Sequence, residues 1–154
     1  MSSRLRRATL TASLGMVMLA AIAATAQAHS NIVRTAQKAG SFNTLIAAAK
    51  AAGLAGVLAN RHGLTVFAPT DAAFAKLPKG TVENLLKPRN RGKLRQILLY
   101  HVVGRRLPAS KIPHGRTHVW TLAGKAVAVR KRRGVRVNRA HVVKADVRAS
   151  NGVI

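Results

Sequence analysis

Residues Thr65 to Pro78 read T-V-F-A-P-T-D-A-A-F-A-K-L-P. Leu64 to Ala68 is a short run with β-branched and aromatic content, which reads as a buried strand. Pro69 ends it. Thr70 or Asp71 then caps a short helix whose Phe74 and Leu77 are expected to point inward. Asp71 also sits where a negative charge favours the positive end of a helix dipole.

Working outward from that stretch, Asn31 and Ser41 offer side-chain oxygens as N-caps. After Ser41, the residues Phe42, Leu45, Ile46 and Ala49 fall at i, i+3, i+4 and i+7, one face of an amphipathic helix that Gly53 stops or kinks. Downstream, a helix is expected over Lys93 to Val102, with Leu94, Ile97, Leu98 and His101 on its apolar face. From Thr117 the period changes to two. Val127 and Val129 alternate with small residues, Lys131-Arg132-Arg133-Gly134 turns, and Val135 and Val137 resume. Ala140–Val143 and Val153–Ile154 are strand-like, separated by the turn pair Asn151-Gly152. Helices followed by a β-rich half define an α+β chain.

The chain has 154 residues, 27 Lys plus Arg, only 3 Asp plus Glu and no Cys, for a formal charge of +24. This length suits one domain, and 48% apolar residues suffice to bury a core. The lack of Cys removes disulfides, thiolate nucleophiles and Cys-ligated zinc. The acids are Asp71, Glu83 and Asp146, so a carboxylate-pair hydrolase or a calcium cage would need almost all of them in one place. Composition therefore leans from catalysis toward binding, with no cofactor expected. Arg4, Arg6 and Arg7 precede an uncharged stretch from Ala8 to Ala24, and Ala26-Gln27-Ala28 follows. This is the pattern of a signal peptide over residues 1–28, with an apolar stretch short of the roughly 20 residues a membrane span needs. The expected domain runs from His29 to Ile154, secreted or periplasmic, or held at a cell surface by its charge.

The stretch Thr65–Pro78, the block L-L-Y-H-V-V from Leu98 to Val103 and the block A-D-V-R-A-S-N-G-V-I from Ala145 to Ile154 occur in order. N-I-V-R-T-A and F-N-T-L-I-A-A precede them. With these blocks the chain resembles the fasciclin (FAS1) domain family. The resemblance implies a β-wedge of two small sheets packed against several helices, an extracellular or periplasmic setting, and adhesion to proteins, matrix or polysaccharide without catalysis. Members usually continue past N-G-V-I with a His, a short apolar strand and a Pro, so the domain is expected to lack that final strand. Members are also commonly neutral or acidic, whereas Lys87 to Lys144 holds 17 basic residues and no acid. That departure points to a different partner.

Tyr100 and His101 match the family's Tyr-His motif, which the resemblance links to adhesion. The periodicity instead makes His101 a core histidine with a satisfied hydrogen bond. Asp71 and Asp146 are read as structural, a helix cap and a turn or ladder acceptor, because no nucleophile or His motif lies beside either. His114 and His118 have a helical ligand spacing, but Pro113 and Gly115 argue against a helix, and no metal site is expected. An N-terminal His29 could chelate copper only with a second His placed by the fold. With Trp120 and Tyr100 as the only Trp and Tyr, sequence-specific nucleic-acid readout is not expected. The basic residues are the sharpest signal. Arg130, Lys131, Arg132, Arg133 and Arg136 crowd a hairpin turn, while Lys87, Arg89, Arg91, Lys93 and Arg95 form a second cluster. Both read as polyanion-binding, for an anionic polysaccharide or another cell-surface polymer. The rival is a cationic membrane-active or defence protein attaching to an anionic membrane surface. Against it, the cations lie largely in the β-rich half and not along one amphipathic helix.

Overall fold

Asn31 starts the first helix: its Oδ1 accepts the Arg34 amide at 2.9 Å, and α1 runs Ile32–Ala39. This computed structural model describes residues 30–154, so the expected signal segment lies outside the described residues. Helix α2 is Asn43–Ala51, and its apolar stripe buries Leu45, Ala48 and Ala49. Ser41 does not cap it. Phe42 holds the N-cap position without a side-chain bond, and the orphan amides are taken by Asp71, far along the chain. Gly53, with φ of 69°, takes the left-handed turn after α2, and α3 follows over Ala55–Asn60.

Strand β1 is Leu64–Val66, all buried, and Thr70 rather than Asp71 caps α4, Asp71–Phe74, by accepting the Ala73 amide at 3.3 Å. Phe74 packs against the core, but Leu77 is 42% exposed. The helix stops at Phe74, so helical spacing no longer carries the next turn onto the same face. Helices α5, Thr81–Leu86, and α6, Arg91–Leu99, come next. The helix expected to reach Val102 ends earlier because Val102–Val103 form β2, paired antiparallel with β1 as Thr65↔Val103 and Val66↔Val102. Sheet hydrogen bonds and β-branching outcompete continuation of the helix there.

The remaining strands are β3 Gly115–Trp120, β4 Ala126–Lys131, β5 Val135–Val137, β6 Ala140–His141, β7 Arg148–Ala149 and β8 Gly152–Val153. They make two four-stranded sheets, ordered β2-β1-β8-β7 and β3-β4-β5-β6. The first contains one parallel pair, β1 with β8; the second is antiparallel throughout. Helices and the first sheet enclose one core around Leu54, Leu64, Leu94 and Leu98. A second core of Val103, Ile112, Val119, Val127 and Val129, flanked by Phe67 and Tyr100, backs the second sheet. The architecture is α+β, two small sheets with helices, as the sequence indicated. Strand-like sequence at Val142–Val143 does not extend β6, and Val143 is left 86% exposed.

Asn151 fastens the C-terminal hairpin to the helices. It is 2% exposed; its Oδ1 accepts the Ile32 amide at 2.8 Å, and its Nδ2 donates to the Leu58 and Arg61 carbonyls at 2.7 and 2.9 Å. A side chain this buried must satisfy its polar atoms internally, since each one left unpaired costs about 1–3 kcal/mol.

Candidate functional site

The basic hairpin forms where the alternation placed it. Val127 and Val129 point into the second core, Arg130 points out, and the Arg132 amide donates to the Gly134 carbonyl at 3.1 Å across the turn. Period-two geometry separates the cluster's five members. Lys131 shares the inner face with Val127 and Val129. Its Nζ donates to the carbonyls of Ala109 and Ile112 at 2.7 and 3.2 Å, closing the 3-10 turn Ala109–Lys111. Lys131 is thus engaged in holding the fold, contrary to its assignment as a polyanion contact. Arg130, Arg132, Arg133 and Arg136 are exposed.

Strand register adds a residue that the sequence reading missed. Arg116 pairs with Arg130, Arg130 with Arg136, and Arg136 with His141, so one row crosses the entire second sheet. Directly opposed residues share a face, and all four are exposed. The Arg136 Nε donates to His141 Nε2 at 2.8 Å. Along β3, Arg116, His118 and Trp120 alternate outward, with Ala128 opposite His118 and Ala126 opposite Trp120. Trp120 is 69% exposed. The signal was present as period-two spacing at residues 116, 118 and 120; which strand they would face was not. None of the three acids lies on these strands. Beside the sheet, Arg105, Arg106 and Lys111 rim a cleft floored by Leu107, Ile112 and Val119.

Lys87, Arg89, Arg91, Lys93 and Arg95 are all exposed, around the 3-10 turn Pro88–Asn90 and along α6. Cations in the first turn of a helix oppose its dipole, so local stability does not account for Arg91 and Lys93. The Arg91 guanidinium lies over Gly53. This cluster belongs to the helical half and shares no element with the hairpin.

Tyr100 and His101 follow α6 and are half-buried. The Tyr100 ring flanks the second core, and its hydroxyl accepts from Asn138 Nδ2 at 3.2 Å. His101 Nδ1 donates to the Ile97 carbonyl at 2.8 Å, and the two rings meet edge to face, 6.1 Å apart at 89°. A carbonyl can only accept, so Nδ1 carries the proton. Asp71 accepts the Thr44 and Asn43 amides at 2.7 and 3.1 Å, capping α2. Its carboxyl is held below the ordinary value of 3.8, first by the Thr44 backbone amide, against an opposing contribution from partial burial. Asp146, at a left-handed φ of 59°, accepts the Ala109 amide at 2.7 Å. It closes the amide end of the 3-10 turn whose carbonyl end Lys131 closes. Both carboxylates are thus occupied by backbone amides on separate elements. Among the described residues no three His, Asp or Glu side chains gather as a metal site, and no helix is long and apolar enough to cross a membrane. His118 lies on a strand, and His114 precedes it outside any helix.

Two four-stranded sheets wedged against short helices define a fasciclin-type α+β domain. The Fasciclin domain family matches residues 40–154, and the chain belongs to that family. It is 50% identical over 124 residues to the Synechocystis protein sll1483, covering 80% of this chain and 68% of that protein. It is 40% identical over 115 residues to pig transforming growth factor-beta-induced protein ig-h3, covering 73% of this chain but 16% of the relative. Immunogenic protein MPB70 of Mycobacterium bovis is 39% identical over 97 residues, 62% of this chain and 47% of the relative. Among solved structures, a FAS1 domain pair from the insect cell adhesion molecule Fasciclin I matches with a TM-score of 0.52 at 22% identity, covering 75% of this chain and 43% of that one.

Proposed function

We propose that this protein is an exported, non-enzymatic adhesion module that engages anionic cell-surface or matrix polymers through its basic surface. The observation that carries the reading is the outward set Arg130, Arg132, Arg133 and Arg136 on a domain with only three acids, at least two of which are occupied as backbone acceptors. Uncompensated charge of one sign raises the local potential and attracts polyanions. Membership in a family that includes the cell adhesion molecule Fasciclin I supports adhesion as the role and the cell exterior as the setting.

The test is retention on a heparin or polygalacturonate resin under a salt gradient. Replacing Arg130, Arg132, Arg133 and Arg136 together by Ser should move elution to clearly lower salt, because displaced counterions supply much of such affinity. Elution at the wild-type position would exclude the hairpin as the main contact. Lys131→Ser should instead lower the melting temperature, since the Ile112 carbonyl loses its donor and the Ala109 carbonyl keeps only the Ile112 amide. Leakage from anionic vesicles at the same protein concentration would favour the membrane-active alternative.

A further inference from the structure

We infer that the outer face of the second sheet is the binding face for an acidic polysaccharide, with the Arg116–Arg130–Arg136 row holding its carboxylates or sulfates and Trp120 stacking on a sugar ring. This rests on the polyanion reading above and assigns it a site and a ligand class.

Like charges directly opposite one another in a sheet are destabilising, because their Cβ atoms are only about 4.5–5.5 Å apart. Here three arginines stand in register across three strands with no acid on the sheet to neutralise them. Folding stability gives no reason for such a row, whereas an anion lying over it does. Guanidinium groups hold carboxylate and sulfate oxygens in bidentate pairs, and the row spans about 10 Å at the spacing of neighbouring strands.

Trp120 is the single Trp of the chain and is 69% exposed. Ala126 opposite it and Ala128 in the next row are small, so along β4 no bulky side chain stands between Trp120 and Arg130, while His118 on β3 lies beside Ala128. The apolar face of a pyranose can lie against an exposed indole at one end of this floor while acidic groups meet the row at the other. Arg116 and Trp120 are four residues apart on one strand, about 14 Å. A monosaccharide cannot reach both, and a polymer can. A lone aromatic serves one ring, whereas single-stranded nucleic acid is held by successive stacking platforms. An anionic bilayer would call for bulky apolar residues around the Trp, where His118 and alanines stand.

The single Trp makes its own emission a direct reporter. Titration with polygalacturonate should change Trp120 fluorescence, the change should fade with added salt, and neutral dextran should produce none. Arg116→Ser with Arg130→Ser should weaken the titration about tenfold, roughly 1.4 kcal/mol. Trp120→Ala, followed by resin elution, should weaken binding by about three- to tenfold. These positions are exposed, and a matching melting temperature confirms that each variant is folded. If both variants elute as wild type while Arg132→Ser with Arg133→Ser does not, the polyanion reading stands and this face is excluded as the site. If no variant changes retention, the underlying reading fails as well. A larger emission change with phosphatidylglycerol vesicles or a single-stranded oligonucleotide than with polygalacturonate would overturn the ligand class.

Discussion

Asp71 shows how much one side chain can contribute in a chain nearly without acids. It sits in the first turn of α4, yet its carboxylate accepts two amides of α2. Its folded-state pKa lies below the ordinary value, principally through the Thr44 amide. The stability it contributes is therefore complete above that ordinary range and is lost as pH falls through the lowered folded value. Asp71→Asn keeps an acceptor but removes the charge. It should melt several degrees lower at neutral pH, and its difference from the wild type should close in acid. Melting curves across the acid range check this; a constant gap would mean that charge is not what Asp71 supplies. The sequence showed a capping acid here but not the helix it caps, because the capped amides are 27 and 28 residues away.

At the scale of elements, the parallel pair β1–β8 is the joint that closes the first sheet. Gly152 makes it possible: a Cβ there would press on the Leu64 carbonyl oxygen and the Ile32 side chain. Gly152→Ala should therefore separate the two strands, costing about 1–3 kcal/mol, the range of an overpacked core site whose backbone must shift. Urea unfolding measures it, and a midpoint equal to that of the wild type would show that the neighbouring chain yields freely. Asn151-Gly152 was legible as a turn pair, but the burial of both residues was not. The same gap separates the expected and actual ends of α6. Helical periodicity continued through His101, and only the presence of β1 as a partner turned Val102–Val103 into a strand. On β4, alternation alone would have turned Lys131 away from Arg130; the carbonyls that receive its Nζ belong to a turn about twenty residues upstream.

For the whole molecule, the charge of +24 sets two responses to salt with opposite signs. Like charges repel within the folded domain, and salt screens them over about 10 Å at 0.1 M. The melting temperature should rise from low salt to about 0.5 M, while retention by an acidic polymer falls over the same range. Scanning calorimetry and resin elution on the same samples check the pair. A melting temperature that falls with salt would mean that attractive pairs dominate the charge pattern.

The amino-acid sequence by itself determined the α+β order of elements, the fasciclin blocks, the caps at Asn31 and the break at Gly53, and the hairpin with its basic turn. Each rests on interactions among residues close along the chain: periodicity, capping oxygens, turn preferences. Only the tertiary structure decided that Arg116 joins Arg130 and Arg136 in one row, that Lys131 turns inward, and that Asp71 and Asn151 clamp helices far from them in sequence. Register and long-range hydrogen bonds depend on which segments come together in space. The local pattern shows which way a side chain alternates, and the partner strand or helix decides what it meets.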